Sequence, residues 1–406
     1  MLSGRELILG VTGSIAAYKA AYLVRELRRL GAEVTVVMTQ HAGEFVTPLT
    51  FRTLSGRPVL TDLFDPQQPA AVEHIALAER ADLLVVAPAT ANALARAALG
   101  LADDFLGTLL LAARAPVLFV PAMDGAMWHH PSVQGHVAGL RAQGATVMEP
   151  GYGELASGLT GVGRFPEVAD IVEIVAGLVW PTRDLVGDQV LITAGPTREP
   201  IDPVRYISNR SSGRMGYALA RQAWRRGAQV TLITGPTSLT PPAGVRVIPV
   251  QTAEEMREAV LHAVGPATIV IKAAAVADYR VAAPAGGKIH SKQEPLNLPL
   301  SPTADILQEL GRSKGSRFLV GFAAETADVT ASARAKLEAK GVDLMVANDV
   351  SRPDIGFDVE QNQVVMVDRW GGVVELGRRP KAEVADAILD RVQALRRTAA
   401  MTPTSP

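Results

Sequence analysis

The sequence predicts an α/β protein made of two doubly wound, Rossmann-like three-layer domains with mostly parallel sheets. Three observations carry the prediction. Near-continuous Val/Ile/Leu runs such as ELILGV, ADLLVVA and APVLFV alternate with amphipathic stretches, the pattern of strands covered on both faces by crossover helices. Residues 6–38 and 189–234 repeat one plan of strand, turn, helix and strand, the second with a long insert between strand and helix. The chain has 406 residues, too many for one ordinary core.

The elements follow in order. The opening strand of ELILGVTGSIAAYKA ends at Gly13, Ser14 and Ile15, and a helix leads to a second strand ending near Thr39. The strand of ADLLVVAPATAN ends in Pro88, Ala89, Thr90, Ala91 and Asn92. The strand of APVLFVPAMDGAMW ends in Pro121, Ala122, Met123 and Asp124, with Met127 and Trp128 just beyond. A helix over 167–178 closes a first domain of residues 1–180, and the stretch 180–188 reads as the boundary. A second domain, 188–398, opens on VLITAGPT. Prolines keep its insert out of a helix until Ser211 or Ser212, either of which can cap the run GRMGYALARQAW. The small, Pro-rich residues 399–406 read as a disordered tail.

Composition excludes several classes of function. Basic and acidic residues nearly balance, 40 against 41, and are interleaved, so no clustered basic face marks a nucleic-acid partner. No apolar run is long enough for a membrane span, and the N-terminus lacks the length and cleavage site of a signal peptide; a cytoplasmic, membrane-free protein is expected. The absence of cysteine excludes disulfides and thiolate chemistry. The seven histidines form no HxxxH or HExxH pair, which disfavours a histidine zinc site.

Ligands of open parallel sheets sit beyond the carboxyl ends of the strands. Gly13, Ser14 and Ile15 open a helix whose free N–H groups can hold a phosphate, although such a tripeptide is also an ordinary strand–helix turn. No G-x-G-x-x-G and no acidic residue follow the second strand. This argues against an NAD(P) dehydrogenase and favours a mononucleotide. Thr90, Ala91 and Asn92 suit a flat ring or phosphate approaching the backbone. Met123, Met127 and Trp128 can be core filler, yet their place at a strand end reads as a pocket wall.

Together GVTGSIAAYKA, His74 in EHIALAERAD, the PATAN segment and PAMDGAMW resemble the FMN-dependent phosphopantothenoylcysteine decarboxylases over about residues 5–175. The resemblance implies FMN bound by Gly13, Ser14, Ile15, Thr39, Thr90, Ala91, Asn92 and Met123. It further implies substrate at Asp124, Met127 and Trp128, and a catalytic His74, a residue type suited to proton handling near neutral pH. The implied chemistry is oxidation of a cysteinyl thiol followed by easy loss of CO2. Two positions depart from the family pattern. Asp124 stands where the family has Asn, so an ionised carboxylate would repel the substrate carboxylate unless protonated or turned away. Ser157 stands where the family flap has a proton-donating cysteine, and a hydroxyl is a far weaker acid than a thiol; Tyr152, water or His74 are the other candidate donors. On this account a second reading keeps only the ligase active and makes the N-terminal half an FMN-binding structural or regulatory module.

In the second half, the string ISNRSSGRMG with its preceding arginine resembles the signature of phosphopantothenate–cysteine ligases. The resemblance assigns Arg205 and Asn209 to phosphopantothenate and its activated carboxylate, and Lys288 in GGKIHSK to catalysis. Lys292 nearby reads as solvated. Ala273, Ala274 and Ala275 leave room for a base or sugar, and Asp278 offers one carboxylate to Mg2+, which takes one or two carboxylates plus phosphates and water. Thr303, Ala304, Asp305 and Ile306 begin a helix with N–H groups for a triphosphate. Phe322 can stack on a base, and Lys336 and Lys340 share one helix face. The implied reaction joins 4'-phosphopantothenate to cysteine through an acyl-cytidylate formed from CTP. On the residues alone, pyrimidine and purine nucleotides stay open. The resemblance also implies a homo-oligomer, a dodecamer of trimers and dimers.

Overall fold

The computed structural model describes residues 2–63, 73–290, 296–325, 328–349 and 361–401. The chain divides into two compact units, Met1–Pro181 and Thr182–Pro406.

The first unit holds a six-stranded parallel sheet made of β1 (Glu6–Val11), β2 (Glu33–Met38), β3 (Val59–Leu60), β4 (Leu83–Ala89), β5 (Val117–Pro121) and β6 (Thr146–Val147), in the order β3-β2-β1-β4-β5-β6. Between and after the strands run α1 (Ala17–Arg29), α2 (Pro48–Ser55), α3 (Glu73–Arg80), α4 (Ala91–Leu99), α5 (Phe105–Ala112), α6 (Gly125–Trp128), α7 (Pro131–Ala142) and α8 (Val168–Leu178). All seven residues of β4 are buried, as expected of a strand covered on both faces. A separate antiparallel hairpin, β7 (Gly151–Glu154) and β8 (Thr160–Arg164), leads into α8.

The second unit repeats the plan on a larger scale. Its main strands are β9 (Gln189–Ala194), β12 (Gln229–Thr234), β13 (Arg246–Pro249), β14 (Ile269–Lys272), β17 (Phe318–Glu325), β18 (Leu344–Asp349), β19 (Gln361–Asp368) and β20 (Val373–Pro380). They stand in the order β13-β12-β9-β14-β17-β18-β19-β20, parallel as far as β18 and antiparallel beyond it. The Pro-rich insert folds as a hairpin of β10 (Arg198–Pro200) and β11 (Tyr206–Ser208), and a second hairpin pairs β15 (Tyr279–Val281) with β16 (Leu300–Pro302). The helices are α9 (Arg214–Arg225), α10 (Ala253–Ala263), α11 (Ile306–Arg312), α12 (Val329–Lys340) and α13 (Lys381–Met401). Alternate residues of β9 feed two cores: Val190 and Ile192 pack with Leu219 and Leu389, while Leu191 packs with Met256 and Leu337. Period-two alternation with both sides buried is what makes the strand sequence continuously apolar.

The predicted α/β class and doubly wound parallel sheets are those observed. Three local expectations change. Much of the stretch 180–188 is part of the second unit: Leu185 is fully buried in its core, and Asp184 bonds the buried Arg226 at 2.6 and 2.8 Å. A short apolar residue and a carboxylate in a polar stretch look like linker until their partners are known. The N-cap of α9 is Gly213, at φ +78° and without a side-chain cap, so neither Ser211 nor Ser212 caps it. A Cβ at Gly213 would lie 2.8 Å from Thr237 Cγ2, so both space and conformation call for glycine. At the C-terminus, residues 399–401 of the expected tail belong to α13; residues 402–406 and Lys292 lie outside the described residues.

Candidate active sites at the two switch points

In each sheet the strand order reverses beside the opening strand, between β1 and β4 in the first unit and between β9 and β14 in the second. A crevice forms there because successive crossovers leave in opposite directions.

In the first unit the loops after β1 and β4 are stitched together. Thr12 Oγ1 donates to Pro88 O at 2.7 Å and accepts from the Thr90 N–H at 3.2 Å. This brings Gly13, Ser14 and Ile15 beside Thr90, Ala91 and Asn92. Thr39 joins them through its N–H, which donates to Val11 O. α1 begins with no side-chain cap, and although the Ala17 and Lys19 N–H groups bond Ser14 O and Ala16 O, the helix start still directs its dipole toward an anion. Ser14 Oγ accepts from the Ala16 N–H, and Thr90 Oγ1 caps α4 by accepting from the Ala93 N–H; each hydroxyl keeps its own proton to donate. His74 lies in the first turn of α3, half-buried, edge-on to Phe105 with ring centroids 6.4 Å apart.

The two departures from the family pattern meet. Ser157 Oγ donates to Asp124 Oδ2 at 2.9 Å, and Asp124 Oδ1 accepts from the Ala126 N–H at 3.0 Å as the N-cap of α6. The Ala126 N–H and then the Ser157 hydroxyl hold the Asp124 carboxyl below its usual pKa. Asp124 is therefore ionised at neutral pH and turned toward α6 and the hairpin. A hydroxyl donating to a carboxylate is a poorer acid than a free one, which weighs against Ser157 as the proton source. The hairpin that carries Ser157 sits tightly on this loop. Met123 N–H donates to Gly163 O at 3.0 Å, and a Cβ at Gly163 would come within 2.2 Å of Met123 O. Trp128 corrects the expectation of a pocket wall. It is 3% exposed and packs in the core with Phe119 and Val133, whereas Met127 remains open. Burial of the large indole is worth about 2–3 kcal/mol, which places it in the core.

The second unit contains a cleft of about 620 Å3, within the range of small-molecule sites. It gathers Asn209, Ala273, Ala274, Ala275, Asp278, Thr303, Ala304, Asp305, Ile306, Phe322, Lys336 and Lys340. The switch point is again stitched by backbone and amide contacts: Asn209 Nδ2 donates to Ala275 O and Val276 O at 3.3 and 3.0 Å, and the Ala277 N–H donates to Thr197 Oγ1. Lys336 Nζ lies 2.7 Å from Glu325, and Lys340 pairs with Asp305. Burial works against the Asp305 carboxylate, but the Lys340 ammonium and the Gln308 N–H outweigh it and keep the pKa below its usual value. Thr303 is fixed by bonds to Ala277 O and Asp278 O, leaving the Asp278 carboxylate exposed at the cleft.

Arg205 and Lys288 are absent from the lining. Arg205 holds the buried Asp202 through Nε at 3.0 Å and Nη2 at 2.5 Å and also donates to Ile289 O at 3.0 Å. The guanidinium keeps the Asp202 pKa far below its usual value. Arg205 thus anchors the segment that carries the exposed Lys288. Sequence reasoning missed Lys272, Arg210, Asn348, Asn362 and Lys381, all of which line the cleft. Burial pushes the Lys272 ammonium down to about 8, against the attraction of Asp305 and Asp278. Its signal was a lysine closing the apolar strand IVIK. Asn348 Oδ1 is buried with no hydrogen-bond partner.

Comparison with known proteins agrees with this division. Residues 1–180 match the family described as Flavoprotein, and residues 185–395 match that described as DNA/pantothenate metabolism flavoprotein C-terminal domain. The coenzyme A biosynthesis bifunctional protein CoaBC of Bacillus subtilis is 46% identical over 398 residues, 97% of this chain and 98% of that protein. Its counterpart in Escherichia coli is 45% identical over 395 residues, covering 96% of this chain and 97% of the relative. Among solved structures, the C-terminal domain of a coenzyme A biosynthesis bifunctional protein CoaBC is 41% identical, spans 53% of this chain and all of that one, with a TM-score of 0.46. A PPC decarboxylase mutant complexed with pantothenoylaminoethenethiol is 31% identical, spans 42% of this chain and 96% of that one, with a TM-score of 0.38.

Proposed function

The chain belongs to the family of bifunctional coenzyme A biosynthesis proteins, and from that premise we propose how its two switch-point sites divide the work. It is an enzyme of coenzyme A biosynthesis that combines a flavoprotein decarboxylase with a ligase. The ligase half joins cysteine to 4'-phosphopantothenate at the expense of CTP, and the decarboxylase half converts the product to 4'-phosphopantetheine. The alternative, in which only the ligase is active and the N-terminal half is an FMN-binding structural or regulatory module, is not favoured by full-length relatives named as bifunctional.

The observation that carries the reading is the charged cleft of the second unit, which brings eight separated stretches of the chain together at the switch point. Phe322 offers a stacking face for the base, and Gly213, which carries no side chain, lets a phosphate come close at the start of α9. Asn209 positions the loop of Ala275 and Val276, and Lys288 closes from its exposed segment. The donor set fits Mg2+, since Asp278 supplies one exposed carboxylate and nucleotide phosphates would supply the rest. The phosphopantothenate carboxylate attacks the α-phosphorus, pyrophosphate leaves, and the cysteine amine then displaces CMP from the acyl carbon.

The first unit fits FMN. The uncapped start of α1, the Ser14, Thr39 and Thr90 hydroxyls and the Asn92 amide form a neutral donor set for one phosphate and a flat ring. FMN supplies a two-electron acceptor there. His74 moves protons, while Asp124, already bonded to Ala126 and Ser157, shapes the substrate side of the pocket. The family resemblance further supports a cytoplasmic homo-oligomer built from trimers and dimers.

The test is to incubate purified protein with phosphopantothenate, cysteine, CTP and Mg2+ and follow products by mass spectrometry. Phosphopantetheine with CO2 is the expected end product. Accumulation of phosphopantothenoylcysteine would remove the decarboxylase assignment, and unconsumed CTP would remove the ligase assignment.

A further inference from the structure

The cations of the second cleft are not equivalent. Lys336 is engaged by Glu325 and Lys340 by Asp305. Lys272 lines the same cleft with no hydrogen bond or ion pair among the described residues, and only the longer-range fields of Asp305, Asp278 and Lys340 act on it. Of the three lysines at 272, 336 and 340, it is therefore the one whose charge no carboxylate already pairs before a ligand arrives.

Sheet order says where that charge lies. Lys272 closes β14, which stands between β9 and β17. The glycine turn at the start of α9 lies on the β9 side, and Phe322 lies on β17 itself. A nucleotide with its terminal phosphates at the α9 turn and its base at Phe322 must cross the end of β14 at the link between sugar and phosphate chain. That link is the α-phosphate.

We infer that Lys272 is a catalytic residue of the ligase half, its ammonium meeting the α-phosphate of the bound nucleoside triphosphate and balancing charge as that phosphorus is attacked. This deepens the nucleotide-activation reading and rests on it. The step forms a bond from the carboxylate oxygen to the α-phosphorus and breaks the bond to the bridging oxygen of the β-phosphate. Pyrophosphate departs with the electron pair. No proton is transferred, so the step calls for a fixed positive charge rather than a base. Burial that disfavours a lone ammonium becomes an advantage once an anion is beside it, because the same low dielectric strengthens their attraction.

The experiment uses the full chain and measures steady-state pyrophosphate release from CTP, phosphopantothenate and saturating cysteine, for wild type, Lys272→Met, Lys272→Gln and Lys272→Arg. The expected result is a fall in kcat on the order of 10²–10³-fold for the Met and Gln variants, the cost of removing one such electrostatic donor. The KM for CTP should move by less than about tenfold, and the Arg variant should recover part of the rate by restoring the charge. Decarboxylation of supplied phosphopantothenoylcysteine should stay at the wild-type rate and report that each variant is folded. A kcat within about threefold of wild type in both neutral variants, or a loss confined to KM, overturns the inference. A wild-type chain that releases no pyrophosphate overturns the nucleotide-activation reading itself, and this inference with it.

Discussion

The two units use one plan for opposite electrostatics. Each opens with a strand, turns into a helix and builds its site where the strand order reverses. In the first unit the crevice is lined by backbone N–H groups, hydroxyls and one amide, and its carboxylate, Asp124, is already satisfied by Ala126 and Ser157. In the second, lysines at 272, 336 and 340 face carboxylates at 278 and 305. The lesson is that the switch point supplies a location and a set of backbone donors, whereas the side chains decide how much charge can be handled there. A ring with one phosphate asks for neutral donors and shape. A triphosphate attacked by a carboxylate asks for compensating cations.

Three measurements can break or sharpen this contrast. The largest expected effect is from His74→Gln, which should lower decarboxylation by about 10²–10⁴-fold, the usual contribution of a general acid or base. Flavin absorbance and pyrophosphate release should be unchanged; a parallel loss of flavin would make His74 a binding residue instead. The second is a pH series on the ligase half. The Lys272 ammonium, lowered to about 8 by burial, is charged below that value and neutral above it. The kcat/KM for CTP should therefore fall by about tenfold from pH 7 to pH 9, following the fraction protonated in the free protein, and Lys272→Met should flatten that fall. An unchanged wild-type profile would mean that the charged cleft does not depend on this group. The smallest effect is expected from Asp124→Asn. Removing one negative charge from a partly solvated site should lower the KM for phosphopantothenoylcysteine by about threefold to tenfold, while Ser157 keeps an acceptor in the amide oxygen. A raised KM would show that the carboxylate serves the substrate rather than opposing it.

The fold was legible because its signals are local. The alternation of apolar runs with helical stretches marked β1, β4, β5 and β9, and strand ends marked the loops that meet at the switch points. The cleft was legible to the extent that its residues sit in recognisable strings, from Asn209 to Lys340. Lys272 was missed because a lysine at the end of an apolar strand reads as the place where the strand reaches solvent. Trp128 was read as a wall because its position at a strand end says nothing about the core cluster that closes over it. Arg205 was read as a substrate contact because the sequence shows Asp202 three positions earlier but neither its burial nor the bond it makes to the guanidinium.

By itself the sequence determined the two-unit α/β architecture, the strand ends that carry the sites and the departures at Asp124 and Ser157, all of which depend on residue type and near-neighbour spacing. Only the tertiary structure decided which of those groups are already engaged. Ser157 meets Asp124 across 33 positions, Lys340 meets Asp305 across 35, and Arg205 reaches Ile289 across 84. Charge state and availability are sums over such distant partners and over burial, and neither quantity exists along the chain before it folds.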